Sequence, residues 1–302
     1  MTQGLPEQAS EPTGQRGVAL ILVLWVLALV SALILAFLGS ADTALHIARN
    51  DDAAAQAQTL AESGVTLAIL ALNDPAPATR WQADGSVHRV SFGGGTIEIK
   101  VADENGKIDL NVAPPELFIG LFRTLGASDD AATAMAAAII DWRSGNTGGG
   151  NTGASADNSA APAPRQFFDV SELAQVPGVS RDMYRRAAPF LTVYSFSPYI
   201  NPMTAPAEVL QSLPGVDEAA IGSFLASRAQ SGGDATTVGP VPAAGDMAVS
   251  PVSTVTITAR AQVTGGRYTR EAVVSLTATP SAPFTILAWG QPRNDAMATS
   301  TP

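Results

Sequence analysis

From Val18 to Leu38 the chain reads VALILVLWVLALVSALILAFL, 21 residues with no charged side chain and Ser31 as the only clearly polar one. At about 1.5 Å of rise per residue, such a helix crosses the roughly 30 Å hydrocarbon core of a bilayer. A helix buried in a globular core rarely stays uniformly apolar over this length, so the run predicts a membrane span. A cleaved secretory signal is the rival, and Ala36, Gly39 and Ala41 imitate its small-residue site. The 17 residues ahead of the run carry Glu7, Glu11 and Arg16, however, which is not a basic n-region.

The helix is predicted to continue beyond the membrane. Leu45, Ile47, Leu60, Val65, Leu67, Ile69 and Leu72 follow, with no proline and only Gly64 between residues 40 and 72, until Asn73-Asp74-Pro75 stops it. Next come two alternating strands, about Val87 to Phe92 and Thr96 to Ala102, joined by Gly93-Gly94-Gly95. A second hairpin, Val252 to Val263 and Tyr268 to Thr277, turns at Gly265-Gly266. Between the hairpins lies a longer helical, loop-rich stretch. The expected fold is α+β: a long N-terminal helix packed on an antiparallel sheet that a large helical domain interrupts.

Within that insert, Ile108-Asp109-Leu110-Asn111-Val112-Ala113-Pro114-Pro115-Glu116-Leu117 aligns with Ile200-Asn201-Pro202-Met203-Thr204-Ala205-Pro206-Ala207-Glu208-Val209, a spacing of 92 residues. In each, a polar cap, prolines and an acid predict a helix start. Val176-Pro177-Gly178-Val179 and Leu213-Pro214-Gly215-Val216 share a turn signal that reads as helix-hairpin-helix-like units. A DNA-binding form needs a second glycine exposing N–H groups to phosphate. Ser180 and Asp217 stand there instead, and the net charge of −10 repels phosphate. Without residues 1–17 the balance is still 16 basic against 25 acidic residues, or −9.

Catalytic chemistry is scarce. Cysteine is absent, and the two histidines fall on different elements, His46 on the long helix and His88 on a strand, where packing or solvent-facing roles are expected. Ser171 and Ser195 therefore lack a base, and no enzyme activity is expected. Asp103-Glu104, Asp129-Asp130 and Asp217-Glu218 are adjacent pairs and read as surface or capping acids.

Several motifs together resemble one family. These are the polar leader ending Arg16-Gly17, Asp103 to Asn111, Ile139-Ile140-Asp141-Trp142-Arg143, Ser171-Glu172-Leu173 to Pro177-Gly178, Leu191 to Ser195 and Ile200-Asn201-Pro202. In this order they resemble the K-type minor pseudopilins of the type II secretion system. Met203 and Val112 depart from the polar residues that family favours. The resemblance implies prepilin-peptidase cleavage between Gly17 and Val18, methylation of the new terminus, and a single-pass inner-membrane protein with its C-terminal domain in the periplasm. It implies a structural subunit at the pseudopilus tip, with I-type and J-type minor pseudopilins, the major pseudopilin filament and the inner-membrane platform as partners. Most of the superfamily carries glutamate at the fifth mature residue. Leu22 stands there, as suits a subunit with no neighbour ahead of it to supply a compensating amine.

On this reading residues 1–17 are leader, 18–72 the N-terminal helix, 73–103 the first hairpin region of a pilin-like domain, 104–245 the inserted domain, and 246–302 the second hairpin and tail. Relatives bind calcium in an acidic loop after the position of Asp141. Here Asp141 and Asp157, with Asn158 and Asp169, are the candidate ligands, and a plain polar linker is the alternative. The tail with Phe284, Ile286, Leu287 and Trp289 either finishes the sheet or offers an apolar contact. The other functional class is a membrane-anchored periplasmic binding module, for a ligand or DNA, that keeps its leader and never polymerises.

Overall fold

The computed structural model describes residues 15–76, 78–145, 165–231, 238–239, 245–276 and 283–292. Helix α1 spans Gln15–Leu72, 58 residues. Its stretch Ala19–Phe37 has a mean hydropathy of 3.0 and no buried residues, so it is long and apolar enough to cross a membrane. The chain divides into two compact units, residues 1–55 and 56–302.

In the second unit five strands form an antiparallel sheet: β1 (Asp84–Phe92), β2 (Gly95–Asp103), β5 (Thr254–Val263), β6 (Gly266–Ser275) and β7 (Thr285–Gly290), in the order β1-β2-β5-β6-β7. The first hairpin turn is one residue shorter than expected and the second two residues shorter. Gly95 pairs with Phe92 and Gly266 with Val263, so both glycines belong to strands. A Cβ on Gly95 would lie 2.6 Å from the Gln262 carbonyl, which explains the residue there. The tail finishes the sheet, with Trp289 opposite Ala272.

One sheet face carries Ile97, Ile99, Val101, Val255, Ile257 and Val274, all buried against Leu60, Ala61, Val65, Ala68 and Ile69 of α1. Alternation in the strands and a 3.6-residue stripe in the helix bring these side chains together. Gly64 marks the closest approach. A Cβ there would stand 2.8 Å from Ile97 Cγ2 and 3.0 Å from Ala259 Cβ.

The insert leaves the sheet after Asp103 and returns at Thr254. It holds a second core, around Phe118, Phe122, Ile139 and Leu173. Its elements are α2 (Pro115–Thr124), α3 (Asp129–Ser144), α4 (Arg181–Ala187), α5 (Ala207–Gln211) and α6 (Glu218–Gln230). A two-stranded parallel ladder of β3 (Ile108–Asp109) and β4 (Leu191–Thr192) joins them.

The spaced repeat is real in three dimensions, but its polar residues do not cap helices. Asp109 and Asn201 each accept from the N–H two residues on, at 2.8 and 3.2 Å, forming matching turns. Helices α2 and α5 then begin behind Pro114 and Pro206 with no side-chain cap. One guanidinium nitrogen closes each turn. Arg143 Nη1 donates to the carbonyls of Leu110 (3.4 Å) and Ala113 (2.8 Å). Arg228 Nη1 donates to those of Pro202 (2.7 Å) and Ala205 (2.8 Å), the equivalent positions.

Three helical turns share a second pattern. Gly126, Gly178 and Gly215 have φ of +88°, +84° and +74°, and each is followed two residues later by an N-cap. Ser128, Ser180 and Asp217 accept from Ala131 N, Met183 N and Ala220 N. A left-handed residue is nearly free of cost only for glycine, which fixes its place in each turn. The first of these turns lacks proline and was not anticipated. The residues standing where a phosphate-binding form needs glycine are thus caps that occupy one of the free N–H groups at the helix start.

Candidate functional site

Among the described residues, the most concentrated buried polar chemistry lies where the insert joins the sheet. Asp103 and Glu104 are each only 2% exposed, which corrects their reading as surface acids. Adjacent acids look like surface residues until distant donors cover them. Asp103 does cap, accepting from Asn105 N at 3.1 Å. It also accepts from Asn201 Nδ2 at 3.2 Å and Thr204 Oγ1 at 2.8 Å, both from the second copy of the repeat. Burial holds its carboxyl above the ordinary range, against these three donors.

Glu104 reaches both parts of the unit. Lys107 Nζ donates to Oε1 at 2.5 Å, Thr256 Oγ1 of β5 donates to Oε1 at 2.6 Å, and Thr192 Oγ1 of β4 donates to Oε2. Asn105 Nδ2 to Ser253 Oγ (3.5 Å) and Asn201 Nδ2 to the Ser250 carbonyl (3.1 Å) tie the returning strand to the same node. A buried charge is tolerated only when it is paired and hydrogen-bonded, and Glu104 is both.

Next to this node a cleft of about 300 Å³ opens between the sheet and the insert. Its floor includes Lys100, Thr258, Arg260, Thr269 and Glu271, and its walls Tyr184, Tyr194 and Trp289. Burial raises the Glu271 carboxyl above its usual value; Lys107 opposes the shift and Glu104 adds to it. Burial also raises the Tyr194 hydroxyl, with help from Glu104 and Glu271.

The residues singled out earlier are placed as follows. Gly17 and Val18 lie within the first turn of α1. Asp141 is exposed near the end of α3, and Asp169 caps a short 3-10 turn by accepting from Ser171 N at 2.8 Å. Asp157 and Asn158 lie outside the described residues. Among the described residues no group of three or more His, Asp and Glu side chains is arranged to hold a metal ion. His88 stacks on Trp81 with ring centroids 3.8 Å apart. Ser195 Oγ donates to the buried Asp109 at 3.1 Å, as does Phe196 N at 3.0 Å.

The family model for type II secretion system (T2SS) protein K matches residues 99–196, which covers the second half of strand β2, Asp103 and Glu104 of the junction, and the insert through β4. Type II secretion system protein K of Pectobacterium carotovorum subsp. carotovorum is 31% identical over 224 residues, 63% of this chain and 67% of that protein. The protein of the same name from Pseudomonas aeruginosa is 26% identical over 248 residues, 72% of this chain and 74% of that one. The fold is similar to a chain in the crystal structure of the GspK-GspI-GspJ complex from enterotoxigenic Escherichia coli. The TM-score is 0.55 at 17% identity, covering 80% of this chain and 97% of that chain. The identity to the Pectobacterium protein over two thirds of its length, together with the apolar helix and the interrupted sheet, makes this chain a member of the type II secretion system protein K family, the K-type minor pseudopilins.

Proposed function

We propose that the chain is the tip subunit of the pseudopilus, held by its apolar helix in the inner membrane with residues 56–302 in the periplasm. The observation that carries this reading is the likeness of fold to a chain from a GspK-GspI-GspJ complex, which supports I-type and J-type minor pseudopilins as its partners. Two features of the chain support it. Leu22 replaces the acid that a subunit inside a filament would use to meet its neighbour. The insert interrupts the sheet between β2 and β5 and adds bulk that opposes stacking by a further subunit.

Prepilin peptidase acts at Gly17–Val18, the new terminus is methylated, and the finished subunit meets the major pseudopilin filament and the inner-membrane platform. Calcium, where it binds, is held through Asp141 and Asp157. Calorimetric titration should then lose its heat in the Asp141→Ala, Asp157→Ala double variant. The reading as a whole is tested by co-expressing the full chain with its I-type and J-type partners and separating the detergent extract by size. Co-elution of all three is expected. Long homopolymers of this chain alone would sink the tip assignment.

A further inference from the structure

The cleft beside the junction is lined by charges of both signs, and two of its cations, Lys100 and Arg260, form no ion pair among the described residues. On the sheet face turned away from α1, the strand register sets Lys100, Thr258 and Glu271 in one cross-strand row and Glu98, Arg260 and Thr269 in the next. Lys100 and Arg260 are therefore diagonal neighbours, about 7–8 Å apart at Cα. Of the nearby acids, Glu271 lies in the Lys100 row and diagonal to Arg260 and accepts from Thr258 Oγ1 at 3.5 Å, while two others are engaged elsewhere. Glu98, directly opposite Arg260, accepts from Arg89 Nε at 2.8 Å, and Glu104 is held by Lys107, Thr192 and Thr256. Among the described residues Lys100 and Arg260 have no ion pair, although both are half-buried. A cation partly removed from water without a direct ion pair is unfavourable, and an incoming anion relieves that cost.

We propose that this cleft seats a carboxylate side chain of a docking protein on Arg260 and Lys100, with the Thr269 hydroxyl as a further donor. Arginine's planar fork matches a carboxylate. The Lys100 stem lies along β1, its Cε 3.6 Å from where a Gly85 Cβ would stand, and its four rotatable carbons let the ammonium turn into the cleft. A phosphate dianion is a poorer guest, because Glu104, Asp169 and Glu271 line the same space and repel two charges more than one. The size and walls favour a protein side chain over a free small acid. About 300 Å³ exceeds what an acetate-sized group fills, and Tyr184 and Tyr194 offer amphipathic rings to the flanks of a peptide. Only the choice of a protein as guest rests on the assembly reading.

The test titrates the full chain in detergent micelles with acetyl-Gly-Glu-Gly-amide, the matching Gln peptide and inorganic phosphate, reading amide shifts at residues 258–260 and 269–271. The Glu peptide is expected to bind at least about tenfold tighter than the Gln peptide, and the Lys100→Ala, Arg260→Ala double variant to lose about tenfold. Arg260→Lys should retain part of the affinity. Glu271→Gln should bind the Glu peptide about two- to fivefold tighter, because a neighbouring negative charge is gone, and a merely structural role would not produce that gain. Equal binding of the Gln peptide, tighter binding of phosphate, or unchanged affinity in the double variant would each overturn the proposal. A double variant that is processed, co-elutes with its partners and yet binds like the parent defeats this site alone, leaving the family assignment intact.

Discussion

Glu104 and Thr256 stand 152 residues apart in the chain, and the Thr256 hydroxyl donates to Glu104 Oε1 over 2.6 Å. One carboxylate thereby links the start of the insert to the strand that follows it.

Removing that carboxylate should be costly. Glu104→Ala leaves Lys107, only 15% exposed, without its counter-charge, and strips the acceptor from two threonines. A loss of about 3 kcal/mol in unfolding free energy is expected, as for a broken buried pair. Urea unfolding of the parent, Glu104→Ala, and Glu104→Ala with Lys107→Ala checks this. The double variant should recover part of the loss, and an additive loss would deny the pairing.

Stability should rise on mild acidification. Asp103 and Glu271 have folded carboxyls above their unfolded values of 3.8 and 4.5, mainly through burial. A raised carboxyl binds its proton more readily when folded. Its stabilisation is fully present below the unfolded value and is lost as pH climbs through the folded one. Glu62 runs the other way. Its carboxyl is lowered by hydrogen bonds from Gln58 and Arg270, so its contribution holds above 4.5 and fades as pH falls through its folded value. Above 4.5 the lowered Glu62 no longer changes its charge and the raised pair sets the slope, so Tm should increase as pH falls toward that value, and by less in Glu271→Gln. A flat parent curve across that window would contradict the burial argument.

Gly64 should tolerate no side chain. Helix propensity favours alanine over glycine by up to about 1 kcal/mol, yet the new Cβ meets Ile97 and Ala259 at 2.8 and 3.0 Å. Overpacking costs about 1–3 kcal/mol, so Gly64→Ala should be slightly destabilising and Gly64→Val clearly so. Thermal unfolding of both variants decides the order, and a stabilised Gly64→Ala would show that α1 can lift from the sheet.

The proposed cleavage makes the fourth prediction. A peptidase must approach the backbone at Gly17–Val18 closely, and glycine has no Cβ to obstruct it. Gly17→Leu should leave an uncleaved protein that still inserts, since its apolar run is intact, but does not support secretion. Leu22→Glu should still be cleaved while tip assembly weakens, because its carboxylate has no amine ahead of it. Mass spectrometry of the N-terminus reads the first outcome. Normal secretion with the leader still attached would return the chain to the class of simple anchored binding modules.

What could be read from the residues alone was local or periodic. The apolar run, both hairpins and each copy of the spaced repeat rest on contiguous stretches of chain, and they reappear as α1, the paired strands and two matching turns. Gly64 was visible as the only glycine between residues 40 and 72, but not its reason, which lies on β2 and β5. The burial of Asp103 and Glu104 was hidden for a similar cause. Their donors come from Thr192, Asn201, Thr204 and Thr256, and no local pattern announces a partner so far along the chain. The turn at Gly126-Ala127-Ser128 lacked the proline that drew attention to its two counterparts.

Arg143 and Arg228 give the molecule an experimental replicate of itself. Each closes the same kind of turn from the second helix of its own half. Substituting one and then the other asks the same question twice in a single protein, with equal solvent, expression and membrane anchoring. Any difference between the two answers belongs to the surroundings of each copy, and so to whatever divergent duty the two halves have acquired.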